Sequence, residues 1–330
     1  MIYAARGFAR FTIMSWAAVA AFVLGAHSTS AGAQADYPNK AIRFMVGQAP
    51  GGATDIMARA VAEKLGKIVS QPVVVENRSG AAGSIAATLV AKSLGDGYTL
   101  LVVSSSYSIN PSLNSLSFDP QRDLEPVVLL AEAPFLLVVN TKLPAHSVKE
   151  LLSYAKSSGR ELTFSSGGTG SSGHLAGELL KSLTGIRMLH VPYKGAGPAT
   201  IDVMGGQIDM TFASMVSVLP HVKSGELRAL GVTGAKRSAT TPDVPTIAEA
   251  GVSGYSTVTW YGVLAPASTS RAIVETLNAD LNQVLKSREL LDRMALEGAE
   301  AMGGTPERFA TYLDSEIRKW AKIIRDAGVN

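Results

Sequence analysis

The feature that most restricts how this chain can fold is a strand-then-helix alternation that runs twice, once on each side of residue 140. In the first series a β-rich run at 42–46 leads into a helical period at 55–69, where Met57, Ala60, Val61, Leu65 and Ile68 recur at three- and four-residue spacing. Strand 73–76, helix 83–92 and strand 99–103 follow. In the second series strands at 162–164, 188–191, 208–212 and 227–232 alternate with helices at 148–155, 174–183, 198–204 and 216–223. Such alternation predicts a largely parallel sheet covered by helices. Between the series VVLLAEAPFLLVV (127–139) is almost unbroken apolar text, as buried strands require. No long linker or low-complexity stretch divides the halves, so the reading is an α/β chain of two lobes joined by crossing strands. The predicted crossings are 134–139 and 258–264, and hinges of that kind let lobes close on a ligand. The tail reads as helix at 272–286, 289–296 and 306–326, the last with Phe309, Leu313, Ile317, Trp320 and Ile324 on one packing stripe.

The N-terminus speaks to compartment. Arg6 and Arg10 lead an uncharged apolar run at 11–26, and small residues follow, with Ala33 and Ala35 framing an A-x-A pattern before Asp36. That three-part form predicts a secretory signal peptide over 1–35, cleaved near Ala35. The run is shorter than the roughly 20 apolar residues of a bilayer span. Cleavage would leave 295 of the 330 residues and lower the formal charge from +3 to +1. Lys and Arg do not cluster as a nucleic-acid surface requires. Cysteine is absent, which removes disulfides, a lipid-anchored N-terminal Cys, Cys-zinc sites and thiol catalysis.

Two glycine-rich stretches sit between a strand and a helix. In the first, Gly51, Gly52, Ala53, Thr54 and Asp55 follow Pro50. Glycine lets backbone approach a ligand closely, and a helix start offers unpaired N–H groups and the positive end of a dipole. Together these suit a carboxylate or phosphate, although the same text also suits a tight turn with a capped helix. The second stretch runs Ser165, Ser166, Gly167, Gly168, Thr169, Gly170, Ser171, Ser172, Gly173, His174. It spells G-x-G-x-x-G, but the next strand ends in Pro192-Tyr193-Lys194 and not in the acid that holds a ribose. It therefore reads as a second anion cradle, and no cofactor is assigned. Tyr193 is placed to pack on a ligand and donate a hydrogen bond. The four histidines after the leader, His146, His174, His190 and His221, form no H-E-x-x-H pair, and no G-x-S-x-G elbow is present. Neither a catalytic residue nor a metal ligand is assigned.

At these residues the chain resembles the Bug (TctC-like) solute-binding receptors of tripartite tricarboxylate transporters. The carrying text is Gly51-Gly52-Ala53-Thr54-Asp55 with Arg59, Val75-Glu76-Asn77-Arg78 through Gly80-Ala81-Ala82-Gly83, Asp96-Gly97-Tyr98-Thr99-Leu100, Ser171-Ser172-Gly173-His174-Leu175 and Val191-Pro192-Tyr193-Lys194-Gly195. Pro242-Asp243-Val244-Pro245-Thr246, Glu249-Ala250-Gly251 and Trp260-Tyr261-Gly262 complete an ordered set. The resemblance implies a periplasmic receptor of the two-lobe, type II (Venus-flytrap) binding-protein class, with lobe 1 at 36–137 plus 260–330 and lobe 2 at 138–259. It implies a carboxylate held by backbone N–H groups and ordered waters of both lobes, and large and small membrane subunits as partners of a monomer. Carried onto this chain it points to 51–55 and to Ser166, Gly167, Thr169, Gly170, Ser171, Ser172 and His174; Ser104, Ser105 and Ser106 line the same cleft. Two departures stand out. Gln48 replaces a common aromatic, and Ala213 and Ser214 stand where an Asp often follows the strand. A receptor that signals instead of delivering, or an exported hydrolase, are the rival readings.

Overall fold

Each strand-and-helix series folds into the same three-stranded parallel motif with its first strand in the middle. In the first, β1 (Ile42–Val46) lies between β2 (Val73–Asn77) and β3 (Thr99–Ser104). The second places β5 (Leu162–Ser166) between β6 (Met188–Pro192) and β7 (Met210–Ser214). Two antiparallel strands, β4 (Leu124–Asn140) and β9 (Val258–Pro266), sit between the motifs. The path reads β2-β1-β3-β9-β4-β7-β5-β6, with β8 (Leu227–Val232) and β10 (Glu300–Ala301) also paired to β4. This computed structural model describes residues 37–328 apart from Lys194 and Glu297, so the expected signal peptide lies outside the described residues. Everything below lies in the unit that begins at Lys40.

Helices α1 (Ala53–Val69), α2 (Ser84–Ala91) and α3 (Ser106–Leu113) belong to the first series. The second carries α4 (Val148–Ser157), α5 (Ser172–Thr184), α6 (Ala196–Gly205) and α7 (Met215–Lys223). The tail is α8 (Arg271–Val284), α9 (Arg288–Leu296) and α10 (Pro306–Ala327). The pattern-based expectation missed α3, because SYSINPSL has no apolar period and carries Pro111 inside.

One strand makes the main crossing. Leu124 to Pro134 of β4 pairs with β9, and Phe135 to Asn140 pairs with β7 and β8. Its side chains alternate between two cores: Leu137 and Val139 enter one, Leu136 and Val138 the other. β9 differs from its expected crossing role, since its whole length pairs with β3 and β4 on the first side. The second passage lies just before it, where the Thr257 N–H donates to the Thr233 carbonyl at 2.9 Å. Helix α10 also ties the halves. Phe309 and Leu313 pack with Trp260 in the first core, while Trp320, Ile323 and Ile324 pack with Phe164 and Phe212 in the second.

Candidate functional site

In an open α/β sheet a crevice forms beyond the carboxyl ends of the strands where succession reverses direction. Both motifs reverse at their first strand, so the loops after β1 and β3 flank one such point and the loops after β5 and β7 the other.

At the first point the two loops are joined by hydroxyls and an amide. Gln48 Nε2 donates to Ser106 Oγ at 3.2 Å and to Ser104 Oγ at 3.4 Å, and the two serine oxygens lie 3.1 Å apart. Gly51 adopts φ +79°, a left-handed conformation that favours glycine. Gly52 caps α1 with no side-chain hydrogen bond, so the first-turn N–H groups of Ala53, Thr54 and Asp55 depend on a partner outside the helix ladder. The carboxylate of Asp55 is turned inward and only 2% exposed. It accepts from the Gly51 N–H at 2.9 Å, from Arg59 at 3.0 Å and from Asn77 at 2.9 Å. Burial pushes this carboxyl up, but the hydrogen bonds from Arg59, Gly51 and Asn77 outweigh it and hold the pKa down to about 2. Asp55 is thus a brace for the turn. Beside it, residues 80–83 all have positive φ, including Ala81 at +46° and Ala82 at +53°, and Asn110 Nδ2 holds the Ala81 carbonyl at 3.2 Å. A Cβ on Gly47 would lie 2.4 Å from Gly83 Cα, so glycine lets these two backbones meet.

The second point is built differently. Ser171 caps α5, its side chain accepting from the His174 N–H at 3.3 Å. The Gly170 N–H donates to His174 Nδ1 at 3.1 Å, and Ser166 Oγ lies 2.7 Å from His190 Nε2. The two imidazoles stack with centroids 3.8 Å apart. Burial, then the neighbouring His190 and Lys181, lower the His174 pKa to about 4; burial and Lys181 do the same for His190. Both rings are neutral near pH 7, which leaves His174 Nδ1 free to accept the loop amide. Gly173 packs so tightly that a Cβ would lie 2.7 Å from the Phe212 carbonyl oxygen. Gly167 and Thr169 are exposed on the loop.

The two points touch. Ser105 Oγ lies 2.8 Å from Ser172 Oγ and 3.1 Å from Thr259 Oγ1. A Cβ on Gly170 would meet Leu113 Cδ1 at 2.6 Å. The serine turn after β3 and the start of α5 therefore face each other, though they are 67 residues apart in sequence.

The chain as a whole is similar to known proteins. The family model for the tripartite tricarboxylate transporter family receptor (TctC) matches residues 57–329. The chain belongs to this receptor family. BugT of Bordetella pertussis is 38% identical over 295 residues, 88% of this receptor and 90% of BugT. Rpa4515 of R. palustris, solved with adipate, is 38% identical, with a TM-score of 0.77 over 89% of this chain and 99% of that one. MatC of Rhodopseudomonas palustris, solved with bound malate, is 31% identical, with a TM-score of 0.73 over 87% and 100%.

Of the residues that sequence reasoning proposed for this receptor, Ser104 meets Ser106 and Ser105 meets Ser172, while Gly170 approaches Leu113 of α3. Asp55 and His174 lie behind their loops as supports. The Tyr193 hydroxyl donates to Asp202, which raises its pKa to about 12, so this hydroxyl is engaged with α6. Asn77, Asn110, His190 and Thr259 were missed as contributors. Asn77 stood inside a quoted motif, but nothing local marks His190 or Thr259, which arrive through sheet pairing.

Proposed function

We propose that this protein is a periplasmic solute-binding receptor that captures a small carboxylate between two lobes, 36–137 with 260–330 and 138–259. It delivers the ligand, chemically unchanged, to the large and small membrane subunits of a tripartite tricarboxylate-type transporter, and acts as a monomer. One observation carries the reading: the 2.8 Å approach of Ser105 Oγ to Ser172 Oγ, which brings two strand-to-helix junctions from different halves to one place. Both junctions offer first-turn amides and hydroxyls, and the neighbouring turn after β1 presents no uncompensated carboxylate, since Asp55 is consumed internally. Charge-assisted hydrogen bonds contribute about 1.5–3 kcal/mol each, so four or five cover the roughly 8 kcal/mol of micromolar affinity and leave some for closure. Related receptors solved with adipate and with malate support a carboxylate ligand.

Calorimetric titration with adipate, malate, succinate and citrate tests the proposal. At least one acid should bind in the micromolar range and be recovered intact by mass spectrometry. Replacing Ser172 with Leu should abolish that binding. Absence of binding by any acid, or indifference to the leucine, would sink the reading.

A further inference from the structure

At the first junction lies a small cavity whose lining includes the polar side chains of Gln48, Ser84, Ser104, Ser106 and Asn110 among apolar neighbours such as Phe118. Its volume is about 20 Å³. One water needs about 10–15 Å³ by that measure, so a single oxygen fits and a three-atom carboxylate does not. No lining residue carries a charge.

The hydrogen bonds around it leave Gln48 Oε1 as a buried acceptor without a partner and several donors over: one serine hydroxyl of the pair 104 and 106, the Ser84 hydroxyl and the second N–H of Asn110. With its NH₂ on the two serines, Gln48 has Oε1 buried with no partner. Ser104 and Ser106 own two hydroxyl hydrogens and use one on each other. Asn110 gives one N–H to the Ala81 carbonyl and accepts from Asn114, and the Tyr107 hydroxyl donates to the Pro120 carbonyl. The guest that completes this set must donate to Gln48 Oε1 and accept from a serine. A hydroxyl does both. An ionised carboxylate only accepts, and would face the amide oxygen.

We infer that Gln48, Ser104 and Ser106 form a hydroxyl subsite that makes this receptor select hydroxycarboxylates over the same acids without the hydroxyl. The subsite adjoins the carboxylate site, because Ser104 and Ser106 flank Ser105 and Gln48 leads into Gly51; the inference rests on that carboxylate reading. In its resting form the cavity takes a water, and the ligand hydroxyl displaces it while keeping both hydrogen bonds.

Matched pairs test it: succinate against malate, glutarate against 2-hydroxyglutarate, and butyrate against 3-hydroxybutyrate, titrated calorimetrically into the purified mature receptor. In at least one pair the hydroxy acid should bind about tenfold tighter or more, since a site built to bond a hydroxyl rejects the analogue lacking it. Gln48→Leu should erase that gap by weakening the hydroxy acid alone, and Gln48→Met repeats the comparison if leucine lowers the melting temperature. Equal affinity within every pair, or a gap that survives in both variants, overturns the subsite while the receptor reading stands. If no acid of any pair binds, adipate and citrate decide: binding by either overturns the subsite while the receptor reading stands, and no binding by any acid sinks both.

Discussion

The turn that opens α1 and the loop that opens α5 occupy equivalent places in two copies of one topology, yet opposite chemistry holds them. Around α1 a buried carboxylate gathers a backbone amide, a guanidinium and an asparagine. Around α5 two stacked neutral imidazoles hold the loop, one accepting a backbone amide and the other hydrogen-bonded to a serine hydroxyl. The packing differs as well. A Cβ on Gly52 would meet only the Ala49 carbonyl oxygen at 3.3 Å, whereas one on Gly173 would press on the Phe212 carbonyl oxygen at 2.7 Å. The same anion-binding geometry can thus rest on a charged or a neutral foundation, and the two should fail under different insults.

The sharpest way to break the comparison is steric. Gly173→Ala should destabilise the fold by about 3 kcal/mol or more, because backbone must shift, while Gly52→Ala should cost about 1 kcal/mol or less. Urea denaturation of both variants checks this, and equal costs would erase the packing difference.

Acid comes next. Folded His174 titrates near 4, against an ordinary value of 6.5, so between these pH values the unfolded chain binds a proton that the folded chain refuses. Stability is then lost as pH falls from about 6.5 to 4, by up to roughly 3 kcal/mol for His174. His190 adds less than a second full share, because the rings are stacked and their titrations are coupled. Asp55 acts in the same direction but in a lower pH window. Its stabilisation is complete above its usual value of 3.8 and is lost only as pH falls toward 2. Thermal melts across pH 2 to 8 should show two separate losses, with His174→Phe shrinking the upper one and Asp55→Asn the lower.

Removing the charged brace is a smaller perturbation. Asp55→Ala leaves the Gly51 amide, Asn77 and Arg59 without their acceptor and should cost about 2 kcal/mol, read from the denaturation midpoint. Smallest of all is Tyr193→Phe. Its hydroxyl serves Asp202, so the variant should lose no more than about 1 kcal/mol and bind ligand like the parent. A large loss of affinity there would return Tyr193 to the binding surface.

Residue pattern already contained the doubled series, the helix starts at 51–55 and 166–172, and the buried stripe of α10. Each is written in local periodicity or in glycine and hydroxyl text. The family resemblance also marked Gln48 as unusual without saying what the glutamine does. Pairing was not legible. That β4 is one 17-residue strand serving both sides, and that β9 stays on the first side, depends on hydrogen bonds between segments about 70 to 160 residues apart. Nor could spacing alone join Ser105 to Ser172, or stack His190 on His174.

By itself, then, the order of residues determined which segments become strands, helices and tight turns, because those depend on neighbours a few positions away. Only the tertiary structure decided which turns face each other, which side chains support them and which atoms remain unpaired. Those outcomes arise when the sheet assembles and water leaves the spaces between its loops, a global event that no short window of sequence encodes.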